Sequence, residues 1–493
     1  MVAPVNWKAN LTLLTEDEVQ RIHQASLTIL DQTGMALELP DHRYDHLEAS
    51  GARVDRKRKR VFFPGEMVEK ALEICPSTYT LGARNPENNL FLDGSHGYLA
   101  LDGTGVKIQD LETGELRTST FQDLAAAVRV ADALPQISFL WPCLSAQDKP
   151  ARVQPLYELL ALFKNSGKHI QAMTAVNPVT AQGSVAMAAA VAGGRDALRA
   201  CPIISNFQCS TSPLSYAKDA LEAALIFGEA GVPVGFLNMQ IGCATAPATL
   251  AGNVAMGNAE ILAGITFLQQ FYPGAPTFYG SCATLMELRT GAVTAGGPED
   301  FILQAASAQL ARHYRLPANI GTFATGAKRT GWHSGVENAV SGAVSQFTRA
   351  DMMCGAGLTR AATVFSYEQL IMDCEIFDII AQVARGIRVD TATLAVDVVD
   401  RVGPKNHFML DTHTLEHMRS AWQPTVMDRS GYDQWAAKGR PATRDHAGRL
   451  AKEILATHEP PPLAQEDELL DIIRSIKMNT ISTYNLAGGA NDG

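Results

Sequence analysis

The side chains of this 493-residue chain that could do chemistry collect where short apolar segments break into loops rich in Gly, Ser, Thr and Cys. The breaks are densest between Pro276 and Glu375, in PTFYGSCATLMELRTGAVTAGGPED, LPANIGTFATGAKRTGWHSGVEN and ADMMCGAGLTRAATVFSYEQLIMDCE. At these breaks and their earlier equivalents stand Asp102, Trp141, Cys143, Thr174, Phe207, Gln208, Cys209, Gln240, Cys243, Tyr279, Ser281, Cys282, Thr322, Phe323, Lys328, Trp332, His333 and Cys354. Aromatic rings recur in this set, and titratable groups are scarce. An aromatic mouth with few acids suits an alkylated cation, because cation–π contacts worth roughly 0.5–2 kcal/mol each need no ion pair. Phe207, Tyr279, Phe323 and Trp332 are the rings expected to touch such a substrate, and Gln208 and Gln240 are amides able to orient a carbonyl or carboxylate on it.

His333, beside Trp332 and between Gly331 and Gly335, is expected in a shaped loop, as a general acid or base or a hydrogen-bond donor. Glu368, at the start of the last long helical pattern, is the second catalytic candidate. Glu368 and Glu375 would share a helix face two turns (about 10 Å) apart, with Asp373 on neither stripe. A close carboxylate pair is therefore not expected, and the three acids read as solvated. His407 and His413, in GPKNHFMLDTH, reach one site only if their loop folds back over the mouth; His407 is the substrate-contact candidate of the two. Cys143, Cys209, Cys243, Cys282 and Cys354 fall near strand ends, but no CxxC pair or other ligand spacing accompanies them. They read as small apolar fillers, and no metal is assigned.

The elements that must carry these residues alternate regularly. GYLALDG reads as a strand, VKIQDLETGELRTS as a hairpin turning at Glu112-Thr113-Gly114, and Phe121 to Leu134 as an amphipathic helix. Seven more strands are expected over Ile137–Trp141, His169–Thr174, Pro202–Phe207, Val234–Met239, Thr277–Ser281, Ala318–Thr322 and Asp351–Gly355. The helices between and after them span 155–164, 180–198, 215–230, 250–270, 298–314, 336–349 and 367–385. Eight strands, each followed by a helix, make a (β/α)8 TIM barrel, whose chemistry sits at the strand C-termini. A doubly wound sheet has no GxGxxG to support it. The barrel is expected over 97–389, behind an N-terminal helical layer (1–96) and before a C-terminal helical extension (390–493). In the layer, Thr15 and Glu18 form a capping box, and in the extension Thr443 is available as an N-cap.

A formal charge of −10, spread along the chain, argues against a nucleic-acid binder, and Arg56-Lys57-Arg58-Lys59-Arg60 reads as a solvated turn. No apolar run approaches a membrane span and the first residues do not read as a signal peptide, so a cytoplasmic protein with reduced thiols is expected.

The whole order of motifs resembles the trimethylamine methyltransferase family: LTEDEVQRIHQASLTILDQTGM, IQDLETGELR, RVADALPQI, GGPED, AQLARHYRLP, SYEQLIMDCEI and VGPKNHF. With only ordinary residues in the chain, it is similar to the branch without pyrrolysine, typified by glycine betaine methyltransferase. The resemblance implies a (β/α)8 enzyme that moves a methyl group from a methylated quaternary amine, betaine-like, to the Co(I) of cobalamin (a corrinoid) carried by a separate partner protein. It implies no tightly bound cofactor, and a homo-oligomer. A quaternary nitrogen leaves as a neutral amine, so no general acid is required, in keeping with the few titratable groups. Where the family pattern has Asp-x-Gln-x-Gly-x-Glu after the seventh strand, this chain reads Gly331-Trp332-His333-Ser334-Gly335-Val336-Glu337. Glycine betaine is therefore not assumed, and another betaine, a carnitine-like or a sulfonium compound stays open. The alternatives are zinc- or folate-linked methyl transfer and a non-catalytic betaine-binding barrel.

Overall fold

The computed structural model describes residues 5–6 and 8–488. Eight parallel strands close into a barrel. They are β1 (His96–Leu101), β2 (Ile137–Leu140), β3 (His169–Gln171), β4 (Ile204–Cys209), β5 (Val234–Asn238), β6 (Thr277–Ser281), β7 (Ala318–Gly321) and β8 (Met352–Ala356). Each pairs with the next, and β8 closes on β1 through Met352↔Tyr98 and Met353↔Leu99. Nearly every strand residue is buried, as expected of parallel strands covered by helices outside and packed side chains inside. At mid-barrel, Gly235 of β5 leaves room for the ring of Phe278 on β6; a Cβ there would lie 2.0 Å from that ring.

The helices are α1 (Phe121–Ala133), α2 (Gln154–Asn165), α3 (Pro178–Ala192), α4 (Lys218–Glu229), α5 (Leu250–Phe271), α6 (Pro298–His313), α7 (Trp332–Phe347) and α8 (Tyr367–Arg385). Three expected boundaries shift. The long helix after β3 stops at Gly193 (φ 88°) and restarts as Arg195–Ala200. The segment before α4 spends Ser215–Tyr216 on a parallel pairing with Met35–Leu37. The helix after β7 begins at Trp332 rather than Val336, so Trp332 and His333 form a first helical turn instead of a loop.

The N-terminal layer holds strands as well as helices. Its first helix, Glu16–Thr28, has the Thr15–Glu18 capping box, and Met35–Leu37, Arg53–Asp55 and Arg60–Phe62 form a small sheet. The basic cluster occupies the turn between the last two, where Arg56 bridges Asp45 at 2.6 Å. The hairpin of Lys107–Gln109 and Leu116–Thr118 forms as expected. Beyond α8, Glu375 accepts backbone N–H groups of Thr425, Val426 and Met427 at 2.8, 3.3 and 3.1 Å, and helix Thr443–Thr457 packs back on α8. Thr443 is its first helical residue and Ala442 its N-cap, so the expected Thr443 cap is not made. Among the described residues no helix is long and apolar enough to cross a membrane.

Candidate active site

A cavity of about 190 Å³ opens at the C-terminal ends of the strands, and all eight contribute to its wall. In parallel strands alternate side chains face the barrel axis, so on β4 Phe207 and Cys209 enter the cavity while Gln208 between them turns away. Trp141 follows β2, Met173 follows β3, and Cys354 is on β8. The rings of Trp141 and Phe207 lie 4.9 Å apart, tilted by 44°. Trp141 Nε1 donates to the Gln171 Oε1 oxygen, which also accepts from Asn319 at 3.0 Å, so the indole is fixed from the barrel interior. Most of the exposed wall is apolar.

Two small sheets border the mouth. Ile241–Gly242, after β5, pairs with Thr284–Glu287, which pairs in turn with Ala292–Val293. On the other side Leu358–Thr359 and Val364–Phe365 form a hairpin that pairs with Lys107–Gln109, and its turn brings Ala361 and Ala362 over the cavity. The GGPED motif supplies Gly296, Asp300 and, one turn on, Gln304. Asp300 accepts the N–H groups of Gly296 and Gly297 at 2.7 and 3.2 Å, capping α6.

The wall's other acid is Asp102, just past β1 and 8% exposed. Its Oδ1 accepts from Gly103 N–H at 2.9 Å, and among the described residues its Oδ2 has no hydrogen-bond partner. Burial pushes its carboxyl up to about 7. Burial also raises Asp300, pushes the Cys209 thiol up to about 12, and raises those of Cys143 and Cys354 well above the ordinary thiol range. These thiols stay protonated near neutral pH, which makes them poor nucleophiles. Among the described residues no three His, Cys, Asp or Glu side chains are grouped to hold a metal.

Of the expected site residues, the structure puts Phe207 in the cavity. Gln208 donates to Asn206 Oδ1 (2.6 Å) and Ala175 O (3.3 Å) behind the strand wall. Gln240 donates to Asn253 Oδ1 at 2.8 Å, against α5. Tyr279 points outward on its strand and donates to Asn258 Oδ1 at 3.0 Å. Phe323 is buried between α7 and α8, near Gly342 and Ile380. Trp332 is 83% exposed, and His407 is exposed between helices Val396–Val402 and Thr412–His417. None of these six lines the cavity.

The two catalytic candidates also stand outside it. His333 is exposed and its Nε2 meets Glu337 Oε1 at 2.8 Å; Glu337 packs on Gly296 of the cavity wall and accepts from Thr325 Oγ1 and Gly326 N–H. Glu368 accepts from Ser366 Oγ at 2.6 Å and pairs with Arg444 at 3.4 Å, tying the extension to α8. Glu368, Asp373 and Glu375 are all buried rather than solvated: the extension brings partners to Glu368 and Glu375, while α7, α8 and the segment after β8 enclose Asp373. Asp373 accepts from Asn338, Gln369 and Gly357 N–H at 2.7, 2.7 and 2.9 Å. Glu368→Gln is expected to cost about 1 kcal/mol of stability and to leave ligand affinity in the cavity unchanged, read by thermal melts and calorimetry. Met173, Leu237 and Gln304 are not among the strand-end candidates; strand alternation, carried two residues past β3, is the signal that finds Met173.

The sequence model of the family described as trimethylamine methyltransferase (MTTB) matches residues 2–479. The trimethylamine methyltransferase MttB of Desulfitobacterium hafniense is 33% identical over 479 residues, covering 96% of this chain and 95% of its own. A glycine betaine methyltransferase of the same species is 34% identical over 458 residues, covering 92% and 94%. Among solved structures, the monomethylamine methyltransferase MtmB of Methanosarcina barkeri aligns with 90% of this chain and 93% of its own, at 10% identity and a TM-score of 0.47. A family match over almost the full length, on a closed (β/α)8 barrel, means that this chain belongs to the trimethylamine methyltransferase family.

Proposed function

We propose that the chain takes a methyl group from a quaternary amine and passes it to the Co(I) of a corrinoid carried by a partner protein. The observation that carries this reading is the cavity itself: two fixed aromatic rings, an otherwise mostly apolar wall, and a position at the strand C-termini. Trp141 and Phe207 would hold a methylated ammonium by cation–π contact, in a site that keeps water from the reacting carbon. The reduced corrinoid supplies the electron pair for the new bond to the methyl carbon. The pair of the broken C–N bond stays on nitrogen, which leaves as a neutral tertiary amine, so no side chain has to donate a proton. The work left to the protein is positioning. Apolar surface beside the opening, from Met239 (53% exposed) and Val293, supports docking of a partner that brings the cofactor.

The test is the absorbance of a reduced corrinoid mixed with the protein and glycine betaine, proline betaine, carnitine, choline, trimethylamine or dimethylsulfoniopropionate in turn. Loss of the Co(I) band with at least one quaternary amine is expected. A Co(I) band that persists with every compound, in the presence of a reduced corrinoid protein, contradicts the proposal.

A further inference from the structure

Resting on that reading, the charge balance of the cavity narrows the substrate class. We infer that Asp102 is the counter-charge for the substrate's ammonium, and that the cavity selects a quaternary amine of net positive charge over a zwitterionic betaine. A quaternary nitrogen has no N–H to donate, so its recognition depends on π faces and on the local field rather than on hydrogen-bond acceptors. Asp102 is placed for such a role. It belongs to the same wall as Trp141 and Phe207, and its Oδ2 has no donor. A buried, unpaired carboxylate is costly unless something compensates it, and a bound cation does so.

Among the described residues, no lysine, arginine or histidine lines the cavity. Of the basic side chains on the covering loops, Lys328 donates through Nζ to Gly326 O at 2.7 Å and Arg360 through Nε to Lys328 O at 2.9 Å. A betaine's carboxylate would thus enter a wall that already carries Asp102 and Asp300, with no cation lining it to receive it. The other titratable groups facing Asp102 are Cys143, Cys354 and Asp373. Both thiols stay neutral near pH 7; Asp373, whose oxygens accept from Asn338 and from Gly357 N–H, is itself pushed up to about 7 by burial, with the charge of Asp102 adding to the rise. Asp300 is held by its α6 cap.

Choline and glycine betaine make a matched pair, alike at the trimethylammonium end and different in charge at the other. Calorimetric titration of the full chain without corrinoid, between pH 6 and 8.5, tests the assignment. Choline should bind more tightly than glycine betaine. Its affinity should rise by about tenfold per pH unit below the Asp102 transition near 7 and level off above it. Asp102→Asn should remove most of that pH dependence, leaving only the weaker, longer-range effect of Asp373, and weaken choline by about tenfold or more at pH 8, narrowing the gap to glycine betaine.

A folding control is built into the same variant. An acid held above its unfolded value of about 4 destabilises the fold progressively as pH rises from about 4 to about 7. Asp102→Asn should therefore melt higher than the parent at pH 8 while binding choline less well, whereas a merely structural aspartate would lose stability on substitution. Tighter binding of glycine betaine than choline, or choline affinity and pH profile unchanged in Asp102→Asn, overturns the inference. Selective, Asp102-dependent choline binding with no methyl transfer to any corrinoid would overturn the proposed reaction and leave this inference standing.

Discussion

Replacing Trp141 and Phe207 together by leucine is expected to lower kcat/KM for the quaternary amine by about a hundredfold. Each ring contributes cation–π energy of about 1–2 kcal/mol in a desolvated site, and about 1.4 kcal/mol is a factor of ten. Leucine keeps an apolar wall, so the effect reads the π faces rather than a collapsed cavity. The rings touch at 4.9 Å, so the single variants are expected to be non-additive. Trp141→Leu also frees Gln171 Oε1 from one of its two donors, Asn319 remaining. It should therefore cost more stability than Phe207→Leu, whose side chain loses only packing. Steady-state kinetics and melting curves on the three variants separate these effects.

The largest effect on folding is expected at Gly355. This residue of β8 has φ of 141°, and a Cβ there would stand 1.5 Å from the carbonyl oxygen of Thr322 on the neighbouring strand end. The obstacle is backbone in the closed barrel, so neither chain can move aside without breaking the β7–β8 pairing at Gly321↔Cys354. Gly355→Ala is expected to cost more than about 4 kcal/mol and to leave little soluble protein. Gly335, in the first turns of α7, is the contrast: nothing lies within 4 Å of its added Cβ. Gly335→Ala should instead be neutral or stabilising by up to about 1 kcal/mol, since glycine is a poor helix residue. Expression yield and denaturant midpoints compare the two.

The barrel was legible because its signals are local and repeated. Each strand is a short, mostly apolar run and each is followed by a helical pattern, so eight repeats reinforce one another. Tyr367–Arg385 matches its expected bounds because Ser366 caps it and Gly386 ends it. The site was harder to read because strand ends were identified without the direction of each side chain. A slip of one residue exchanges inside for outside: Phe207 faces the cavity and Gln208 its back, and Tyr279 lies outside while Phe278 fills the axis. Trp332 and His333 looked like loop residues because Gly331 and Gly335 flank them, yet Gly331 serves as the N-cap and Gly335 lies within the helix. Asp102 stood among the strand-end candidates, but only the fold brings it to the wall of Trp141 and leaves one of its oxygens without a donor. The burial of Asp373 and Glu375 depends on contacts 16 to 52 residues away, from Gly357 to Met427, which no local pattern encodes.

The most direct test of the account is a single-turnover reaction of the protein with a quaternary amine deuterated in its N-methyl groups and a reduced corrinoid protein, analysed by mass spectrometry. The account predicts equal amounts of tertiary amine and of trideuteromethyl on the corrinoid, with none on protein cysteines. Label found on a cysteine of this chain, or the amine recovered intact while Co(I) persists, would contradict it.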